Sequence, residues 1–113
     1  MLNIIATMGI LLAAVDPATE LNDGQSLLRW LEEKPETPDH IVIAGAAMGF
    51  VAGVASTMQL MKIICPPAGT TRGQNIAIVV KYLKEHPKSW RLSSTFLTMQ
   101  ALDEAWACPK PSI

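Results

Sequence analysis

Apolar residues fall along this chain in four blocks, three with a helical period and one apolar almost throughout. The first block is QSLLRWLEEK. Asn22-Asp23-Gly24 supplies an N-cap before it, and Leu27, Leu28 and Leu31 then predict a short amphipathic helix. Pro35 and Pro38, in the polar connection KPETPDH, stop that helix. The second block runs from Ile41 to Ile64, carries no charge between His40 and Lys62, and ends at Cys65-Pro66-Pro67. In the third, TRGQNIAIVVKYLKEH, Thr71 and Gln74 have the spacing of a capping box. Ile76, Val79, Val80 and Leu83 form one face of that segment, and Pro87 closes it. After the loop KSWRL, the fourth block, SSTFLTMQALDEAWAC, sets Phe96, Met99, Leu102 and Trp106 on one stripe. No convincing strand appears. The expected fold class is all-α, a small four-helix bundle.

Glycine recurs at Gly45, Gly49 and Gly53 in the second block, which gives it two readings. A membrane span through residues 41–64 would use such a small-residue face to meet another helix. A buried central helix would use it to let neighbouring backbones approach, at about 1 kcal/mol of helix propensity per glycine. Ser56, Thr57 and Gln59 shorten the strictly apolar run to Ile41–Ala55, the length of a core helix rather than a span. The three amphipathic segments would also lose their partner if this helix left for a bilayer. The expectation is therefore a central helix surrounded by the other three, with Gly45, Gly49 and Gly53 in the packing.

At the start, Ile4 to Val15 is apolar apart from Thr7 and ends at Asp16-Pro17. That is the length of a signal-peptide core. No Lys or Arg precedes it, and Leu12 stands three residues before the best cut, after Ala14. The alternative is an N-terminal helix packed on the core. The organisation expected is a leader over residues 1–18 and one helical domain over 19–113.

With 113 residues, half of them apolar, the chain can bury one core. A formal charge of −1 and a pI near 6.1 give no footprint for nucleic acid. Cys65 and Cys108 end the second and fourth blocks. In an exported domain they are natural disulfide partners, while in a reducing compartment they would be free thiols. There is no Cys-x-x-Cys, and His40 and His86 are isolated, so no metal or cofactor is expected. A nucleophilic role for Cys65 would need a nearby histidine and an orienting group that the spacing does not promise. No catalytic residue is assigned. Lys88, Ser89, Trp90 and Arg91 suit a partner-binding loop, since Trp and Arg are enriched at binding hot spots. Trp90 could equally fold over the end of the bundle. Trp30 and Trp106, on helix faces, are expected in the core.

Taken in order, GFVAGVAS, ICPPAGTTRGQ, VVKYLKEHP and ALDEAWAC resemble the Tai or Rap-type immunity proteins, which neutralise type VI secretion amidase effectors. The pieces fall on Gly49–Val54, Cys65–Gln74, Val79–Pro87 and Ala101–Cys108, and the likeness extends from Asp23 to Cys108. It implies a small exported helical protein, often a homodimer, acting in the periplasm. Such a protein fills the cleft of a peptidoglycan amidase and has no catalysis of its own. Two further cysteines common in the family are absent, since Leu31 and Ala47 stand in their places. Two other functions remain open, a small periplasmic acid-stress holdase and a small membrane protein.

Overall fold

A computed structural model describes residues 21–110, so the expected leader lies outside the described residues. Four α-helices account for most of the described chain: α1 Gly24–Glu32, α2 Pro38–Leu60, α3 Arg72–Glu85 and α4 Ser94–Trp106. A single 3-10 turn, Pro87–Ser89, joins the last two. Among the described residues there is no strand. Two isolated bridges, Asp23 with Ser93 and Ile64 with Ala107, tie the ends of the helices together.

Each helix begins where a short polar side chain accepts from a free backbone N–H. The Asp23 carboxylate accepts from Ser26 N at 2.9 Å, and the Thr37 hydroxyl from His40 N at 3.2 Å. Thr71 and Gln74 close the expected capping box, with contacts of 3.1 and 2.8 Å. Ser93 caps α4. The start of α2 lies three residues before the apolar block. Pro38, read from sequence as part of a helix-stopping connection, sits instead in the first helical turn, where its missing N–H is no loss.

At its other end α2 closes in a Schellman motif. Ile63 N–H reaches the carbonyl of Met58 at 2.9 Å, and Lys62 N–H that of Gln59 at 3.0 Å. Lys62 itself takes φ 60°, the left-handed position that this motif requires.

The core is a contiguous cluster in which Leu27, Val51, Val79, Leu83 and Leu102 are fully buried, with Trp30 nearly so. α1 and α3 bury the faces expected of them. α4 does not: Leu97, Thr98, Ala101 and Leu102 point inward, while Phe96 and Met99 stay largely outside. The helix is turned by about a third of a revolution relative to the expected stripe.

Cys65 and Cys108 form a disulfide across 43 residues, with Cα atoms 4.8 Å apart. Beside it Cys65 N–H donates to the Trp106 carbonyl at 2.7 Å, and the Trp106 indole donates to Asn75 at 3.0 Å. The end of α4 is thereby fixed to the α2–α3 loop and to the first turn of α3.

Candidate protein interface

Two surfaces of this frame carry side chains that its interior does not use. The first is the end of the bundle at residues 86–92. Pro87 starts the 3-10 turn, and the backbone then folds on itself through Ser89 N to His86 O, Trp90 N to Pro87 O and Leu92 N to Ser89 O. The His86 ring stacks on Tyr82 with centroids 4.0 Å apart, and its Nδ1–H donates to the Tyr82 carbonyl at 2.7 Å. α1 clamps the other side, since Gly24 N–H donates to Leu92 O and Gln25 N–H to Trp90 O, both at 3.2 Å. The backbone of residues 86–92 is therefore held from both sides.

Of the four residues expected in a contact here, Lys88 and Arg91 are exposed, Ser89 is half-buried and Trp90 points inward. The Trp90 indole donates to the Leu83 carbonyl at 2.7 Å, and its ring packs on the core cluster. Trp90 thus holds the loop in place, as the covering reading of this residue expects. Leu92, 47% exposed, was not singled out from the sequence; it joins Arg91 and Lys88 as the outward apolar member. Gly24 is the reason the clamp closes. A Cβ there would meet the Leu97 side chain and would approach the Trp90 Cα within 3.3 Å.

The second surface corrects the expectation for α2. Its buried residues, Ile43, Ala44, Ala47, Val51, Ala55 and Met58, form one stripe, and the opposite side is open. Gly45, Gly49 and Gly53 lie on that open side, with no atom of the described residues within 4 Å of where a Cβ would stand. Among the described residues they make no helix packing. Among the described residues the other three helices cover one flank of α2 and do not surround it.

Val42, Met48, Leu60 and Met61 are exposed around the same helix, Leu60 to 83%. A groove of about 490 Å³ runs beside the glycines, between α2 and α4, floored by Phe50, Val54 and Met58 and walled by Met61, Ile63 and Met99. By length and composition α2 is also the one described helix able to cross a membrane, with a mean hydropathy of 1.9 over 18 residues.

Neither surface brings a nucleophile, a base and an orienting group together, and among the described residues no three His, Cys, Asp or Glu side chains converge as a metal site.

The model of one family, the Rap1a immunity proteins, matches residues 23–108. The chain belongs to that family. The match covers well over half of its 113 residues and takes in all four helices, the clamped loop and both cysteines. No curated protein and no solved structure matches the chain. As a Rap1a immunity protein its partner is a cognate effector.

Proposed function

We propose that this chain is a periplasmic inhibitor of a type VI secreted peptidoglycan amidase, protecting its own cell from the effector of its siblings. The family match carries this reading. The Cys65–Cys108 bridge supports the export it requires, because disulfides persist in oxidising compartments. In this reading the protein acts by occlusion and performs no catalysis. The loop at residues 86–92 enters the amidase cleft, with Lys88, Arg91 and Leu92 as the contacts and Trp90 as their support. A pre-held loop suits this task, since a groove is filled most tightly by a few anchors that lose little freedom on binding. A pair of copies acting together belongs to the same reading.

The test is co-purification from a detergent-free osmotic-shock extract, with an amidase encoded beside this gene as bait. A stable complex with the amidase silenced is the expected result. A soluble protein that ignores that amidase overturns the reading. The exposed apolar side of α2 favours a second reading, an acid-stress holdase that captures unfolded chains. Such a holdase would gain apolar-dye binding at low pH and suppress aggregation of a model client, whereas an immunity protein would stay folded and do neither.

A further inference from the structure

The loop at residues 86–92 sets two cations side by side. We propose that Lys88 and Arg91 act as a pair that takes carboxylates on the rim of the effector's cleft, and that this pairing steers the two proteins together. This rests on the inhibitor reading and adds to it the chemistry of the partner's surface.

The placement comes from the turn. Ser89 N–H to His86 O, Trp90 N–H to Pro87 O and Leu92 N–H to Ser89 O each join residues three apart. Trp90 keeps the dihedrals of a 3-10 turn, with φ −63° and ψ −18°. With three residues per turn, side chains three apart stack on one side, about 6 Å apart along the axis. Lys88 and Arg91 have that spacing and are both exposed, while Trp90 between them is bonded inward to the Leu83 carbonyl. Two like charges so placed repel each other, and the bonds from Gly24 and Gln25 hold the backbone that keeps them there.

The charge around the pair is one-sided. The whole chain carries a formal charge of −1, yet from His86 to Leu102 it has no acidic residue, and its Lys and Arg there are Lys88 and Arg91. α4 begins within this stretch with no acidic side chain in its first turn, so the positive end of its dipole lies beside the pair. Carboxylates of α1 and α3 are engaged elsewhere: Asp23 accepts from Ser26 N–H, Glu32 pairs with Lys84, Glu33 with Arg29 and Glu85 with Lys81. Among the described residues no carboxylate forms an ion pair with Lys88 or Arg91.

Two features select protein carboxylates over other anions. The planar guanidinium of Arg91 matches a carboxylate through two parallel N–H bonds. Leu92, exposed next to it, calls for an apolar contact in the same footprint, which a protein surface supplies and a small anion does not. Complementary charge of this kind acts mainly on the rate of association.

Association kinetics with the amidase encoded beside this gene, between about 20 and 500 mM sodium chloride, test this. The association rate constant of the wild-type protein should fall about tenfold over that range, with dissociation changing little. Lys88→Glu/Arg91→Glu should slow association about tenfold or more at low salt, and added salt should then speed it. Arg91→Lys keeps the charge and loses the fork, so association should hold while dissociation quickens.

A complex that forms at a rate indifferent to salt and to charge reversal overturns the proposal and leaves the inhibitor reading standing. No complex with the wild-type protein at any salt concentration overturns both. A charge-reversed variant that melts several degrees below wild type would show the pair bound to a carboxylate of its own chain, which also overturns the proposal. So does salt-indifferent association with the amidase alongside flotation on phosphatidylglycerol vesicles that charge reversal abolishes, which would assign the pair to lipid.

Discussion

Replacing Trp90 separates its role as support from a role as contact. Its indole N–H donates to the Leu83 carbonyl at 2.7 Å, and that carbonyl also accepts from His86 N at 3.2 Å. Trp90→Phe removes the first bond and leaves the carbonyl its second. The loss should therefore sit at the low end for a buried hydrogen bond, about 1 kcal/mol. Trp90→Ala also uncovers the half-buried ring. About 100 Å² of apolar burial at roughly 25 cal/mol per Å² adds about 2.5 kcal/mol.

A domain of this size loses about 4–8 °C of melting temperature per kcal/mol. Thermal unfolding followed by circular dichroism should then place Trp90→Phe about 5 °C below wild type and Trp90→Ala some 15 °C or more below it. Arg91→Ala and Lys88→Ala, which lose no buried contact, should stay within about 0.5 kcal/mol of wild type. Trp90→Ala with wild-type stability would refute the supporting role. Impaired effector binding by a variant as stable as wild type would return Trp90 to the contact itself. The clean probes of binding are accordingly Lys88, Arg91 and Leu92.

Reducing the Cys65–Cys108 bridge, or replacing both cysteines by serine, should lower stability by about 4 kcal/mol in the loop-entropy account, read as the fall in unfolding free energy extrapolated to zero urea, with a steeper slope because the unbridged unfolded chain exposes more surface. Gly24→Ala should destabilise by about 1–3 kcal/mol, because its Cβ enters space held by Leu97 and the Trp90 backbone. If its thermal midpoint matches wild type, the clamp at the loop is looser than described. Lys62→Gly should stabilise by roughly 0.5–1 kcal/mol, since glycine meets no Cβ penalty at φ 60°. An unchanged or lower midpoint would count against that account of the end of α2.

What could be read from the sequence was whatever is decided within a few residues. The cap at Asp23, the capping box of Thr71 and Gln74 and the ends of α1 and α3 depend on local hydrogen bonds, and all are present. The pairing of Cys65 with Cys108 was open only between two compartments, and the bridge is formed. What escaped depends on how helices turn against one another. α2 is apolar on every side, so periodicity cannot say which side faces inward; the glycines were placed in the core and lie outside it. α4 carries two overlapping apolar stripes, and packing chose the one through Leu97 and Ala101 over Phe96 and Met99. Trp90 next to Arg91 reads as a hot spot or a cover with equal ease until the indole is seen donating to Leu83. Leu92 carried no signal of its own, because its exposure follows from the clamp by Gly24 and Gln25.

The most direct test of the central claim is a titration of the neighbouring amidase, acting on purified peptidoglycan, with this protein and with a Lys88→Ala/Arg91→Ala/Leu92→Ala variant. The account predicts that the wild-type chain silences the amidase at a one-to-one ratio, while the variant, equally stable, does so at least tenfold less well. Undiminished cleavage in the presence of excess wild-type protein would contradict it.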